Sequence, residues 1–106
     1  TLCVEFFVDR NDNLYVNEIA PRVHNSGHLT INSFNVSQFE NHVRAVCSLE
    51  QIPLKKLYNA EMINLIGDEI KAYRQNLNLK ENEFFFDYLK KEVKHNRKMG
   101  HLTRLK

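Results

Sequence analysis

Two acidic residues, Glu5 and Glu18, lie in neighbouring segments that are predicted to pair as a β-hairpin. The runs LCVEFFV and LYVNEIA are rich in β-branched and aromatic residues, and the turn-forming sequence RNDN lies between them. A turn centred between Asn11 and Asp12 would place Glu5 directly opposite Glu18. The same register pairs Cys3 with Ala20, Phe7 with Val16 and Asp9 with Leu14.

A facing pair of carboxylates needs something to offset its charge. Two ionised carboxylates about 5 Å apart repel by about 3 kcal/mol at an effective dielectric of about 20, and sheets normally avoid such pairs. A divalent cation is the economical candidate, because Mg²⁺ is commonly held by one or two carboxylates together with substrate phosphates. A proton shared between the groups is the alternative. A bulge that shifts the register, or an edge where water screens both charges, would leave the pair without a ligand.

A loop dense in hydrogen-bond donors follows the second predicted strand. Pro21 stops the strand ladder, and the next seven positions hold a concentrated polar set: Arg22, His24, Asn25, Ser26, Gly27 and His28. Arginine grips carboxylates and phosphates, and a nearby histidine can move protons. A turn whose side chains satisfy their own backbone is the simpler interpretation. Because the loop begins a few residues after Glu18, we expect the cation and anion sites to share one corner of the fold.

Basic residues are concentrated at the C-terminal end, where KKEVKHNRKMGHLTRLK holds seven of the 15 lysines and arginines. Such a cluster attracts phosphate, although charge runs at a chain end are usually a solvated face. Gly100 is predicted to form a turn that leads into a strand, which would hold Lys98 in place.

The remaining elements follow from hydrophobic spacing. A helix is predicted over residues 37–50, because Ser37 and Glu40 form a capping box ahead of an apolar stripe that should pack inward. The members of that stripe are Val36, Phe39, Val43, Val46 and Cys47. His42 and Arg44 lie off the stripe and are expected to be solvated.

Residues 58–66 are predicted to form a strand that ends at Gly67. Asp68 is a plausible cap for a short helix with Ile70, Tyr73 and Leu77 on one side. Residues 84–89 read as a second strand, buried on both faces or exposed as an edge.

Composition sets limits on the class of protein. The 106 residues, with 42% hydrophobic and 26% charged side chains, give ordinary globular composition and room for one domain. The net charge of +2 points to neither nucleic acid nor membrane, and no apolar run approaches the roughly 18 residues of a spanning helix. Two cysteines without CxxC spacing favour buried free thiols in a reducing compartment. Three glycines leave no Walker A or Rossmann fingerprint.

The motifs carry a family resemblance. The string VEFFVDRNDNLYVNEIAPRVHNSGHLT, continuing to SQFENHVRAVC, resembles the closing part of the ATP-grasp domain of 5-(carboxyamino)imidazole ribonucleotide synthases. The string RKMGHLT resembles the closing motif of the small C-terminal domain in the same family. The resemblance implies an α+β fold, with residues 1–52 in the ATP-grasp part and residues 53–106 in a β-rich C-terminal domain. The chain is then expected to be a C-terminal fragment that lacks the ATP-binding half.

The resemblance also implies a reaction and its participants. These enzymes use ATP and bicarbonate to carboxylate aminoimidazole ribonucleotide through carboxyphosphate, in the cytoplasm. Glu5 and Glu18 would hold Mg²⁺, and Asn17 would assist Glu18 at the nucleotide. Arg22, His24 and Asn25 would be catalytic, Ser26 and Gly27 would shape the substrate loop, and Arg97 and Lys98 would bind the 5'-phosphate. The missing strands should leave an edge that a second copy could cover, so a homodimer is expected.

Four residues depart from the family pattern, at three places in the chain. The family usually has proline where Val23 stands, glycine where Leu89 stands, and a Pro-Gly pair at His95 and Asn96. These changes bear on loop shape more than on chemistry. Two alternatives stay open: another carboxylating ATP-grasp enzyme such as a biotin carboxylase, and a non-catalytic module that binds nucleotide or nucleic acid through the basic C-terminal segment.

Overall fold

An antiparallel β-hairpin opens the computed structural model, which describes every residue from Thr1 to Lys106. Its strands are β1 (Cys3–Val8) and β2 (Leu14–Ala20), which form a two-stranded sheet. The chain divides into two compact units, Thr1–Lys55 and Lys56–Lys106, which we call unit 1 and unit 2. None of its helices has the length and hydrophobicity that crossing a membrane would require.

The register of the hairpin is as predicted near its open end and differs near its turn. Cys3 pairs with Ala20 and Glu5 with Glu18, which confirms the facing carboxylates. A β-bulge then shifts the register, and Asn17 is the extra residue on β2. Beyond the bulge the pairs are Phe6 with Val16, Phe7 with Tyr15 and Val8 with Leu14. The predicted pairs of Phe7 with Val16 and of Asp9 with Leu14 are therefore wrong.

The turn explains this difference. The Asp9 carboxylate accepts hydrogen bonds from the backbone N–H groups of Asn11 and Asn13, at 2.8 and 2.9 Å, so Asp9 belongs to the turn and not to the strand. The pKa of the Asp9 carboxyl is lowered mainly by the hydrogen bond from the Asn13 side chain, and further by the one from the Asn13 backbone. Asp12 has a φ of 63°, in the left-handed region. The turn takes one residue more from β1 than from β2, and the bulge absorbs that offset.

One face of the hairpin is entirely apolar. Alternation along the strands places six side chains together on it: Val4, Phe6, Val8, Leu14, Val16 and Ile19. They are between 40% and 64% exposed. The opposite face carries Glu5 and Glu18 together with Cys3, Phe7, Tyr15 and Ala20. The carboxylate pair therefore lies on one face of the sheet, and the other face is an apolar one that no other element of unit 1 buries.

Short helical segments complete unit 1. A 3₁₀ turn spans Asn25–Gly27, α1 spans Thr30–Ser33 and α2 spans Gln38–Val46. The predicted start of α2 is confirmed, because the Ser37 side chain accepts a hydrogen bond from the Glu40 N–H at 3.1 Å. The helix ends before the predicted residue 50, since Ser48 adopts a left-handed φ of 54°.

The apolar stripe of α2 does not pack inward as predicted. Val36 is buried, but Phe39, Val43 and Val46 are exposed, because no other element of unit 1 covers that side of the helix. Both cysteines are free, as expected, although Cys3 is only partly buried and Cys47 is exposed, so the expectation of buried thiols is wrong.

The two polar residues off the stripe are less solvated than predicted. His42 and Arg44 are both partly buried. The Arg44 guanidinium bonds to Glu40 one helical turn earlier, at 2.9 Å.

Unit 2 is a three-stranded antiparallel sheet with one helix. Its elements are β3 (Ala60–Ile66), α3 (Glu69–Gln75), β4 (Glu83–Asp87) and β5 (Lys98–Leu105), with strand order β3-β5-β4. Both predicted strands are present with shifted ends. On β4, Phe85 is partly buried, whereas Phe84 and Phe86 are exposed. The phenylalanine run therefore lies on an edge strand and is not buried on both faces.

The core of unit 2 is formed by Leu65, Ile70 and Met99. Tyr73 packs against this core as the helix spacing predicted, whereas Leu77 lies beyond α3 and is exposed. Gly100 lies inside β5, so the predicted turn there is wrong. A Cβ at Gly100 would meet the carbonyl of Phe86 on the neighbouring strand, and this close approach is what requires glycine.

Two of the departures from the family pattern fall on unusual backbone. Leu89 and Asn96 have φ values of 54° and 62°, in the left-handed region where glycine is favoured. The family's glycines at both positions would therefore fit this backbone without strain, while asparagine tolerates it better than leucine does.

We predict that Leu89→Gly stabilises the protein. The side chain is 80% exposed, so little packing is lost. A left-handed leucine costs about 1–2 kcal/mol, against about 0.5–1 kcal/mol for the greater freedom of glycine in the unfolded chain. The free energy of unfolding in urea should rise by about 0.5–1 kcal/mol. Leu77→Gly is the control, because Leu77 is exposed without a left-handed φ, and it should destabilise. Equal effects of the two substitutions would contradict this account.

Candidate functional site

Two side chains from the hairpin and one from the loop after β2 form a cluster. Glu5, Glu18 and His24 each offer a ligand atom, and these atoms lie within 4.8 Å of one another. His24 Nε2 is 2.7 Å from a carboxylate oxygen of Glu18 and 3.6 Å from one of Glu5. The predicted proximity of the carboxylate pair to the loop is therefore confirmed. The His24 side chain is 13% exposed, whereas both carboxylates are open to solvent.

The hydrogen bonds at His24 select its tautomer. The backbone N–H of Ser26 donates to Nδ1 at 3.3 Å, and the Ser26 hydroxyl lies 2.8 Å from the same atom. A backbone N–H can only donate, so Nδ1 carries a lone pair and the ring proton is on Nε2, which donates to Glu18. The imidazole therefore supplies one hydrogen bond to the carboxylate pair, through Glu18.

The other predicted site residues near this cluster in the sequence are Asn17, Arg22 and Asn25, and no hydrogen bond joins Arg22 to the cluster. Asn25 begins the 3₁₀ turn and is partly buried. Arg22 is exposed, and its Nη1 donates to the Val23 carbonyl at 3.0 Å. Asn17 is exposed at the β2 bulge, next to Glu18. A bulge changes the direction in which neighbouring side chains point. This bulge lies at Asn17 and Glu18, the two adjacent polar residues that were predicted to contact the nucleotide.

Sequence reasoning missed Gln38, the first residue of α2. Its Oε1 accepts a hydrogen bond from the His24 N–H at 2.9 Å, and its Nε2 donates to the His24 carbonyl at 2.7 Å. The same Nε2 lies 2.7 Å from His28 Nδ1. The only signal in the sequence is a polar residue beside the helix cap, which does not distinguish this glutamine from a solvated one.

The predicted phosphate-binding residues lie in unit 2. Arg97 and Lys98 are both exposed, and Lys98 is the first residue of β5. Lys90 Nζ donates to the Lys98 carbonyl at 2.6 Å and lies 5.3 Å from the centre of the Tyr88 ring. Burial, and then the charge of Arg97, lower the pKa of Lys90. The backbone of Lys98 is therefore held by a neighbouring side chain, a contact that the sequence did not indicate.

An ion pair supports the loop that carries Lys90. The Arg74 guanidinium bonds both carboxylate oxygens of Asp87, at 2.7 and 2.8 Å, and also donates to the Lys90 carbonyl at 3.3 Å. Hydrogen bonding from Arg74 holds the pKa of Asp87 below its usual value. The loop after β4 is thereby tied to α3.

Comparison with known proteins gives matches along the chain. Residues 1–39 match the ATP-grasp domain family, and residues 60–106 match the phosphoribosylaminoimidazole carboxylase C-terminal domain family. The N5-carboxyaminoimidazole ribonucleotide synthase of Bacillus subtilis is 45% identical over 105 residues, covering 99% of this chain and 28% of that protein. The enzyme of the same name from Staphylococcus aureus strain COL is 44% identical, over 97% of this chain.

Solved structures show the same correspondence. The crystal structure of N5-carboxyaminoimidazole synthetase from Staphylococcus aureus superimposes with a TM-score of 0.88 at 42% identity, covering 99% of this chain and 29% of that chain. The Aspergillus clavatus enzyme, in complex with ADP and 5-aminoimidazole ribonucleotide, gives a TM-score of 0.83 at 37% identity, over 30% of that chain. This chain therefore spans less than a third of the length of these relatives.

We predict that the cluster of Glu5, Glu18 and His24 binds a divalent cation. Mn²⁺, a paramagnetic substitute for Mg²⁺, should broaden the NMR signals of these side chains before those of the exposed Glu92, because two facing carboxylates attract a cation more strongly than one. Glu5→Gln should raise the Mn²⁺ concentration needed for half-broadening about tenfold. Broadening spread evenly over the surface carboxylates would contradict the assignment.

Proposed function

This chain belongs to the N5-carboxyaminoimidazole ribonucleotide synthase family, and from that premise we propose that it supplies the metal-binding edge and part of the substrate site of an ATP-dependent ligase. The ligase carboxylates aminoimidazole ribonucleotide with bicarbonate in purine biosynthesis. The family matches confirm the predicted fold, which is the closing part of an ATP-grasp domain followed by a small C-terminal domain. The observation that carries the proposal is the facing pair Glu5 and Glu18 beside His24.

The donor set fits Mg²⁺. Mg²⁺ prefers oxygen ligands and is usually held by one or two carboxylates plus substrate phosphates, which matches two solvent-open glutamates on one strand pair. We assign Glu5 and Glu18 as the metal ligands, with Asn17 and Glu18 at the nucleotide. When bound, Mg²⁺ would offset the negative charge that develops on the transferring phosphoryl group of ATP. Relatives that bind ADP and ATP support the choice of nucleotide.

The loop residues are assigned to the carboxylation itself. Arg22 is solvent-exposed and positively charged, so it can bind bicarbonate and carboxyphosphate, with Asn25 beside it. As the new N–C bond forms, the bond between the carbonyl carbon and the phosphate oxygen of carboxyphosphate breaks, inorganic phosphate leaves, and the substrate amine releases a proton. His24, whose Nδ1 holds a lone pair shared with the Ser26 hydroxyl, can take up that proton. Ser26 and Gly27 shape the loop around these groups.

Arg97 and Lys98 are assigned to the 5'-phosphate of the ribonucleotide. Both are exposed cations, and the bond from Lys90 to the Lys98 carbonyl limits how far that segment can move. A phosphate bound by a pre-positioned cation costs less ordering than one bound by a mobile side chain. The Aspergillus clavatus relative in complex with 5-aminoimidazole ribonucleotide supports the substrate class.

Length bears on what these 106 residues do by themselves. They correspond to 28% of the Bacillus subtilis relative. We therefore propose that alone they have no synthase activity and bind Mg-nucleotide only weakly. A cytoplasmic location and a homodimer complete the proposal. They are supported by the free cysteines and by the uncovered apolar face of the hairpin.

We expect Glu18→Gln, made in the full-length enzyme, to lower the rate of ATP turnover at least about a hundredfold while the fold stays intact, because one metal ligand loses its charge. A coupled assay for ADP release measures turnover, and circular dichroism checks the fold. Glu50→Gln is the matched control, since Glu50 is an exposed glutamate in the same unit. A Glu18→Gln enzyme that turns over ATP as fast as the Glu50→Gln control would refute the proposal.

A further inference from the structure

We propose that Gln38 is a positioning residue for His24, and that its side-chain amide fixes the loop from His24 to His28 in the geometry the reaction uses. This inference rests on the proposed function only where it concerns catalysis. The contacts themselves belong to this chain. Gln38 does not touch the Glu5–Glu18 pair in the structure, so any effect it has on the reaction must pass through His24.

The side-chain amide of Gln38 hydrogen-bonds to both backbone groups of His24, its N–H and its C=O. Its oxygen accepts from the His24 N–H at 2.9 Å, and its nitrogen donates to the His24 carbonyl at 2.7 Å. This two-point contact resembles one rung of a β-ladder made by a side chain. A residue held at both its N–H and its C=O has little freedom to rotate about φ or ψ, so the direction of its Cα–Cβ bond is fixed, and the hydrogen bonds of the ring to Ser26 and Glu18 then fix the imidazole.

The second proton of the amide nitrogen is used as well. It points to His28 Nδ1, at 2.7 Å. Since the glutamine nitrogen only donates, His28 Nδ1 must be the acceptor of this hydrogen bond. Both donors of the amide and its oxygen therefore have partners. Rotating the amide by half a turn would set donor against donor at His24, so one orientation is selected.

Gly27 and Thr30 show that the loop is built around this side chain. A Cβ on Gly27 would collide with the Gln38 amide, which accounts for glycine at that position without any special φ. The Thr30 hydroxyl donates to the Gly27 carbonyl at 2.6 Å and accepts from the Gln38 backbone N–H at 2.9 Å. Because Gln38 begins α2, the helix anchors the amide, and the amide anchors the loop.

The test compares two substitutions with a matched control in the full-length enzyme. Gln38→Met keeps the length of the side chain and removes all three hydrogen bonds. Gln38→Glu keeps an acceptor for the His24 N–H and removes the donors. Gln51→Met is the control, because Gln51 is an exposed glutamine of the same unit. In the orientation that satisfies both ends of its amide, the nitrogen donates to the Asn41 carbonyl at 3.3 Å and the oxygen accepts from the Ala45 N–H at 3.0 Å, so the substitution removes amide hydrogen bonds without touching the loop.

Hydrogen exchange at the His24 amide is the direct readout. We expect this amide to exchange about ten- to a hundredfold faster in Gln38→Met than in the native enzyme, because its acceptor is gone. In Gln38→Glu it should stay protected. Gly27→Ala is an independent variant, since its methyl group displaces the amide without altering Gln38, and it should speed exchange in the same way. Unchanged exchange in both Gln38→Met and Gly27→Ala would overturn the proposal.

Kinetics separate positioning from mere stability. We expect Gln38→Met to lower kcat about tenfold or more while KM for ATP changes little, because the nucleotide contacts of unit 1 lie on the hairpin. The Gln51→Met enzyme should keep its native kcat. If exchange at His24 speeds up while kcat stays native, then His24 has no role in the reaction, and the proposed function of the loop fails while the structural role of Gln38 stands. A loss of kcat with native exchange would overturn the positioning role.

Discussion

Two like charges facing each other across a strand pair are the constraint on which unit 1 depends. Glu5 and Glu18 occupy paired positions, an arrangement that sheets normally avoid because like charges directly opposite each other repel. No lysine or arginine forms an ion pair with either carboxylate. The side chain beside the pair is that of His24, whose Nε2 donates one hydrogen bond to Glu18 and whose backbone is bonded by Gln38. Two facing carboxylates without a lysine or arginine partner suit a divalent cation.

The two units differ in how they use apolar residues. Unit 2 has a core of its own around Leu65, Ile70 and Met99. In unit 1 one face of the hairpin and one side of α2 are apolar and exposed. The same hydrophobic pattern that correctly predicted the hairpin and the helix predicted burial that the other elements of unit 1 do not provide. Spacing indicates which face an element could bury, but it does not indicate whether a neighbouring element covers that face.

Sequence patterns predicted the hairpin, the carboxylate pair and the start of α2, because each depends on local spacing or on a capping pair. The bulge at Asn17 was not predictable from alternation, since it arises from a turn that Asp9 enters through its own side-chain hydrogen bonds. The side chains of Gln38 and Lys90 hydrogen-bond to backbone groups of distant residues, and such contacts leave no periodic pattern in the sequence. Family knowledge did mark two strained positions, since the glycines expected at Leu89 and Asn96 coincide with left-handed backbone.

Crystallography tests the central claim most directly. Crystals of the full-length enzyme grown with ADP and Mn²⁺ would locate the metal by its anomalous signal. We predict a peak with carboxylate oxygens of both Glu5 and Glu18 at about 2.1 Å and His24 still hydrogen-bonded within the cluster. A metal bound to the nucleotide with neither glutamate coordinating it, or two glutamates turned to opposite faces of the hairpin, would contradict the account.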